Sequence, residues 1–224
     1  GSVVLRNLYI FNTGSFGVDG TAGNYINILL DTVRVDAATN IAFDFDCTSS
    51  SGPVTFINTY ANGTTGAVSI GYELANGDFT LFATACDSNT RGYRLGGRVR
   101  MFGTHSEDNN PYGVQVIGSG TITIVGHRSN ADGLPFIIDS DANVTIINPY
   151  SASTVNNNSL ETTVNATGHN ILIGASGLDK TVDDTVKTLD KWLNSAMTVN
   201  GNIIAKSDDP TIYAEDVTNN VQTM

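Results

Sequence analysis

Apolar residues return along this chain in short strings at a steady interval. Phe79-Thr-Leu-Phe-Ala-Thr, Val99-Arg-Met-Phe-Gly-Thr, Ile122-Thr-Ile-Val-Gly-His and Val144-Thr-Ile-Ile-Asn-Pro each run or alternate apolar over about five residues of β-branched and aromatic type. That pattern reads as a strand with one buried face. Further strings open at Leu8, Ile28, Val54 and Ile171, so the starts fall at 8, 28, 54, 79, 99, 122, 144 and 171. A spacing of 20 to 27 residues is the period of a repeat architecture and is too short for a strand, a crossover helix and a return. It fits coils of two or three short strands, each coil stacked in parallel on the last.

A second strand follows about fifteen residues after most of the first ones: at Ile41, Ala67, Gly92, Gly113, Leu134 and Thr162. Gly and Asn punctuate the junctions, as left-handed backbone at tight corners requires. The expected fold class is all-β, a right-handed single-stranded parallel β-helix of the pectate-lyase-like kind, with eight coils over residues 3–176. The longest insertions, from Cys47 to Pro53 and from Ser153 to Asn158, are polar and read as loops. Gly1-Ser2 reads as a leftover of expression, and the coils as the C-terminal part of a longer protein.

The period breaks after Ser176. Over 178–197, Val182, Val186, Leu189, Leu193 and Ala196 recur at steps of 4, 3, 4 and 3, an a/d seam predicting a short helix that either joins several chains or caps the last coil. Residues 198–224 return to strand-like alternation in a piece too small to bury a core alone.

Charge narrows the partners. With 11 Lys+Arg against 22 Asp+Glu the net charge is −11, which repels phosphate backbones and anionic bilayers and argues against nucleic acid. No apolar run is long enough to span a membrane, so insertion is not expected. Cys47 and Cys86 have no metal-ligand spacing and read as buried thiols. No phosphate loop, dinucleotide fingerprint, nucleophile elbow or calcium loop appears, so no cofactor and no metal is expected.

The order of a Gly/Asn-punctuated β-helix, a heptad seam and a terminal strand-rich piece resembles the distal part of a bacteriophage tailspike or neck appendage. The string Gly201-Asn-Ile-Ile-Ala-Lys-Ser-Asp-Asp-Pro-Thr-Ile-Tyr-Ala-Glu-Asp is similar to segments that open trimeric terminal domains of phage tail fibres. The resemblance implies a homotrimer in the virion, on its tail or neck, that binds bacterial cell-wall polysaccharide or teichoic acid and in many members cleaves it. No family catalytic motif maps onto a position of this chain.

The candidate chemistry is polar and local. Asp44 and Asp46 alternate with Phe43 and Phe45, which places two carboxylates on one face about 6.5 to 7 Å apart along a strand. That separation suits the acid and base of glycoside cleavage, and a solvated sheet face produces the same pattern. Aligning the second strands puts Asp44, Ser69, Arg94 and Gln115 in one outward column about 4.8 Å from coil to coil, a groove for an extended glycan. The stretch after Val99 reads as a turn gathering His105 and Glu107 near Arg100, with His127 one coil later; it could hold a phosphate or uronate, and Glu107 is a third candidate for catalysis beside Asp44 and Asp46. Three functions remain open: an adhesin that recognises a surface glycan, a depolymerase with its site on the coils, and a structural trimeric rod.

Overall fold

The computed structural model describes residues 1–21, 27–47, 52–64, 66, 69–140, 142–147 and 149–151, with the short strands Thr162–Val164, Ile171–Gly174, Lys187–Thr188, Tyr213–Ala214 and Gln222–Thr223. The chain winds into an all-β parallel solenoid of about six turns, fewer than the eight coils expected. Each turn has three strands, so the solenoid has three sheets.

The first sheet is built by the apolar strings. Ile28, Val54, Phe79, Val99, Ile122, Val144 and Ile171 are in one continuous register, the column that the repeat predicted. Two residues on, Leu30, Phe56, Leu81, Met101, Ile124 and Ile146 form a second inward column, and these described core positions are almost fully buried. The first coil departs from expectation. Val3, rather than Leu8, pairs with Ile28, and Leu8 pairs with Val33 in the next sheet. The apolar string at Leu8 belongs to the other half of one ten-residue strand, Ser2–Phe11.

The third sheet contains the predicted second strands, Ile41–Asp46 and the leading parts of Ile70–Phe82, Arg91–Phe102 and Tyr112–Val125, followed by Leu134–Ser140 and Thr162–Val164. Its core side stacks Phe43 on Tyr72 and Tyr72 on Tyr93, with ring centroids 4.7 and 4.8 Å apart. The second sheet is made of three-residue strands, Tyr60–Asn62, Ala85–Asp87, His105–Glu107 and Arg128–Asn130. His105 to Glu107 is therefore a strand and not the predicted turn. The strand is too short to show a period, and its inward residue is Ser106, so hydrophobic patterning gives no sign of it.

Left-handed residues make the corners. Asn7, Thr32, Asn58, Ala83, Gly103 and Gly126 turn the chain from the first sheet to the second, and Asn12, Ala37, Gly63, Ser88, Asp108 and Ala131 turn it from the second to the third, all with φ between 50° and 65°. Only some are Gly or Asn, so the stacked hydrogen bonds hold several ordinary residues in a conformation that costs roughly 1–2 kcal/mol each.

Just inside the second corner runs a polar ladder. Thr64 Oγ donates to Asn89 Oδ1, Asn89 Nδ2 to Asn109 Oδ1, and Asn109 Nδ2 to Asp132 Oδ1 at 2.8 Å. Each amide passes its donor to the next coil, and the run ends on a carboxylate that can only accept when ionised. Glycines make room for it: a Cβ on Gly92 would lie 3.1 Å from Asn109 Nδ2 and 2.6 Å from Cys86 Sγ beside it, and one on Gly113 would lie 2.5 Å from Asp132 Oδ2. Cys47 and Cys86 are both free and buried.

Within the segment read as a helix, 178–197, the described residues Lys187 and Thr188 form a parallel strand with Leu172 and Ile173. The helix is not supported there, because the open edge of the last coil offers unpaired amides and carbonyls that an extended segment satisfies directly. The remainder of that segment lies outside the described residues, and within 198–224 one antiparallel pair joins Tyr213–Ala214 to Gln222–Thr223.

Two outcomes follow for stability. Gly92→Ala forces a methyl into the ladder and should lose about 1–3 kcal/mol in denaturant unfolding. Ala83→Asn places a residue tolerant of positive φ at the corner and should gain about 0.5–1 kcal/mol.

Candidate functional site

Parallel in-register stacking turns every outward position into a column about 4.8 Å per step, so the candidate site is read face by face. On the third sheet the column is Asp19, Asp44, Glu73, Arg94 and Gln115. Ser69 is not in it. Ser69 precedes the strand and bonds through Oγ to Thr90 Oγ at 2.9 Å, while Glu73 takes the place assigned to it. The step between equivalent positions there is 29 residues, from Asp44 to Glu73, and the insertion displaces any alignment made by apolar strings alone.

Three carboxylates thus stand next to one another before the first cation, Arg94, whose Nη1 meets Glu73 Oε1 at 2.5 Å. Asp44 sits in the middle, only 9% exposed, with no side-chain hydrogen bond among the described residues. Burial first, then the charges of Glu73, Asp19 and Asp46, push its pKa up to about 6. Asp46 is exposed and accepts a bond from Asn76 Nδ2. The two aspartates proposed as a catalytic pair are therefore unlike: the partner nearest in chemistry to Asp44 is Glu73, a residue that sequence spacing did not reveal.

The second sheet presents two columns side by side. One is Tyr9, Arg34, Tyr60, Ala85, His105 and Arg128; the other is Phe11, Asp36, Asn62, Asp87, Glu107 and Asn130. Aromatic rings, cations, carboxylates and amides lie within reach of one another along the solenoid. Tyr9 and Phe11 stack at 6.2 Å, Arg34 lies over the rings of Tyr60 and Tyr9, and Asn130 donates to Glu107.

His105 and Glu107 fall on this face, with Nε2 and Oε2 3.8 Å apart. His127 does not. The coil-to-coil step here is 23 residues, which aligns His105 with Arg128, and a difference of one turns His127 inward. It is fully buried between Tyr93 and Phe136.

His127, Ser106 and Asp132 form an internal cluster that has the residue types of a hydrolytic triad. Ser106 Oγ lies 2.5 Å from Asp132 Oδ2 and 3.0 Å from His127 Nε2, and Thr104 Oγ lies 2.8 Å from Nδ1. The serine proton goes to the carboxylate, so His127 donates from Nε2 and accepts from Thr104, which requires a neutral ring. Burial, and then His105, lower its pKa to about 3. With Ser106 fully buried, this network packs the core and meets no substrate.

The first sheet is different again. Thr55, Thr80, Arg100, Thr123 and Thr145 form one outward column and Ile57, Phe82, Phe102, Val125 and Ile147 another. Phe82 is 43% exposed and stacks on Phe102 at 5.1 Å. Arg100 belongs here, paired with Asp78 at 2.8 Å, on a different sheet from His105. Among the described residues no group of His, Cys, Asp and Glu is arranged to hold a metal ion, and no helix is long and apolar enough to cross a membrane.

No family model matches this chain, and no curated protein or solved structure matches it either. The solenoid fold is compatible with a tailspike-like protein.

Two of the shifted groups, Asp44 and His127, make opposite pH signatures. Asp44 holds its proton up to about 6 in the folded chain against 3.8 ordinarily, so its contribution falls as pH rises from about 4 to 6 and stays reduced above. His127 titrates near 3 folded against 6.5 ordinarily, so its contribution falls as pH drops below 6.5. Asp44→Asn should therefore raise stability at pH 7 by on the order of 1 kcal/mol, a melting shift of about 3 °C, and should match the parent at pH 4. A thermal melt series across that range checks both.

Proposed function

We propose that this chain is the receptor-binding part of a tailspike-like viral adhesin that grips an extended bacterial surface glycan, cell-wall polysaccharide or teichoic acid, along its second sheet. The observation that carries the reading is the pair of outward columns running from Tyr9 to Arg128 and from Phe11 to Asn130. Sugars are held by aromatic faces and by hydroxyl hydrogen bonds to carboxylates, amides and guanidinium groups, and a straight repeating face suits a straight repeating ligand. Each such bond exchanges a bond to water and contributes only about 1 kcal/mol, so affinity accumulates with polymer length.

Several copies would multiply it. The apolar column from Ile57 to Ile147 supports assembly into the proposed homotrimer, since an acidic chain associates most readily through a face of little net charge. Three parallel faces presented to one cell surface would bind through avidity.

A second reading is favoured by one specific observation. Asp44, protonatable near neutral pH and next to Asp19 and Glu73, has the properties of a general acid in glycan hydrolysis. Under that reading Asp44→Asn abolishes turnover of a wall polymer; under the adhesin reading there is no sustained release of reducing ends to abolish.

The adhesin reading is tested by titrating purified wall polysaccharides and teichoic acids, as long and short fragments, into the protein. Long fragments are expected to bind at least tenfold tighter than disaccharides, and Tyr60→Ala to weaken them about tenfold. Glycan binding unaffected by Tyr60→Ala would contradict it. For the assembly, sedimentation is expected to give a trimer that Phe102→Asp dissociates, because a desolvated charge at an apolar contact costs several kcal/mol; a concentration-independent monomer would contradict it.

A further inference from the structure

The second sheet contains its own example of a bound cation. Arg34 extends between two tyrosines, its guanidinium 4.8 Å from the ring centroid of Tyr60 and 5.9 Å from that of Tyr9. Its Nε donates to both carboxylate oxygens of Asp36 at 2.9 Å. The hydroxyl of Tyr9 donates to the same carboxylate at 2.9 Å. Tyrosine, cation and acid form a closed unit: an aromatic surface for the charge and an anion at its edge.

Two coils further along, the tyrosine and the acid recur and the cation does not. Tyr60 pairs in register with Ala85, and Asn62 with Asp87, so Asp87 stands to Tyr60 as Asp36 stands to Tyr9. The hydrogen bond is repeated, from the Tyr60 hydroxyl to Asp87 Oδ2 at 3.2 Å. Where Arg34 fills the space between the two, Ala85 ends at its methyl group.

The next side chain in the column is His105, two steps or about 9.6 Å from Tyr60. Asp87 has no ion-pair partner among the described residues; besides the Tyr60 hydroxyl, its carboxylate accepts the Ser88 hydroxyl at 2.8 Å. Glu107 adds a second carboxylate one coil on.

We propose that the notch over Ala85, walled by Tyr60 and His105 and edged by Asp87, binds a positively charged group carried by the glycan, the protonated amine of an amino sugar or of an aminoacyl ester. The polymer rests on the adhesin reading given above, and the cation rests on Arg34. An ammonium group meets the same two surfaces as the guanidinium, a tyrosine face and a carboxylate. An N-acetylated sugar of equal size keeps the stacking and loses the ion pair, so the notch selects for a free amine.

The test compares chitosan tetramer with its fully N-acetylated counterpart by calorimetry at pH 6 and low salt, with methylguanidinium as a small probe followed through the Tyr60 ring resonances. The free amine is expected to bind at least tenfold tighter than the acetylated tetramer. Ala85→Arg, which supplies the notch with its own guanidinium in the manner of Arg34, and Asp87→Asn should each erase that preference without lowering the melting temperature by more than a few degrees. Methylguanidinium should move the Tyr60 resonances in the parent and not in Ala85→Arg.

Equal binding of the two tetramers by the parent, or a preference that survives Ala85→Arg, would overturn the notch while leaving a glycan-binding face in place. A methylguanidinium response lost in Ala85→Arg, with neither tetramer bound, would support the cation site and count against the glycan reading. Silence towards all three probes would overturn the notch.

Discussion

The structure depends on one constraint: each strand of the solenoid hydrogen-bonds, in parallel, to the strand one coil away. That stacking makes a residue's neighbours the residues about 20 to 29 positions before and after it, so side chains of one kind collect into columns. The stacked phenylalanine and tyrosine rings of the core, the carboxylate column through Asp44 and the tyrosine–arginine column through Arg34 are all products of it. It also holds Thr32, Ala37, Ala83, Ser88 and Ala131 at positive φ, a cost that only cooperative hydrogen bonding along the solenoid offsets.

The same constraint explains why so much polarity is tolerated inside. A turn of three short strands brings corner backbone close to the core, and the Thr64, Asn89, Asn109 and Asp132 ladder satisfies that backbone from within, as Asn109 N does by donating to Asp132 Oδ1. Gly92 and Gly113 are small because the ladder lies against them. An unpaired amide at any step would lose its partner on two coils, so the ladder specifies register as well as contributing stability.

How far the sequence could be read follows from this geometry. Most strands of the first and third sheets carry four or more residues with two inward apolar positions, and the stacking of the first sheet from Ile28 to Ile171 was legible. Strands of the second sheet carry one inward residue, which in two coils is serine, and patterning cannot register them. Without the second sheet, His105 looked like a turn residue and the face that holds Tyr60 and Asp87 stayed hidden. Side-chain direction in a strand alternates every residue, so one position was enough to move His127 from a binding face to the core. At Ser69 the error was four residues, from an insertion in polar sequence where apolar strings offer no marker.

The proposed division, with recognition on the second sheet, catalytic potential on the third and association on the first, is tested most directly by a structure with bound ligand. A crystal of the protein soaked with a long wall oligosaccharide should show sugar rings running parallel to the solenoid axis over Tyr60, Ala85 and His105. Sugar seated instead on Asp44 and Glu73, or a second-sheet face bare at saturating oligosaccharide, would contradict it.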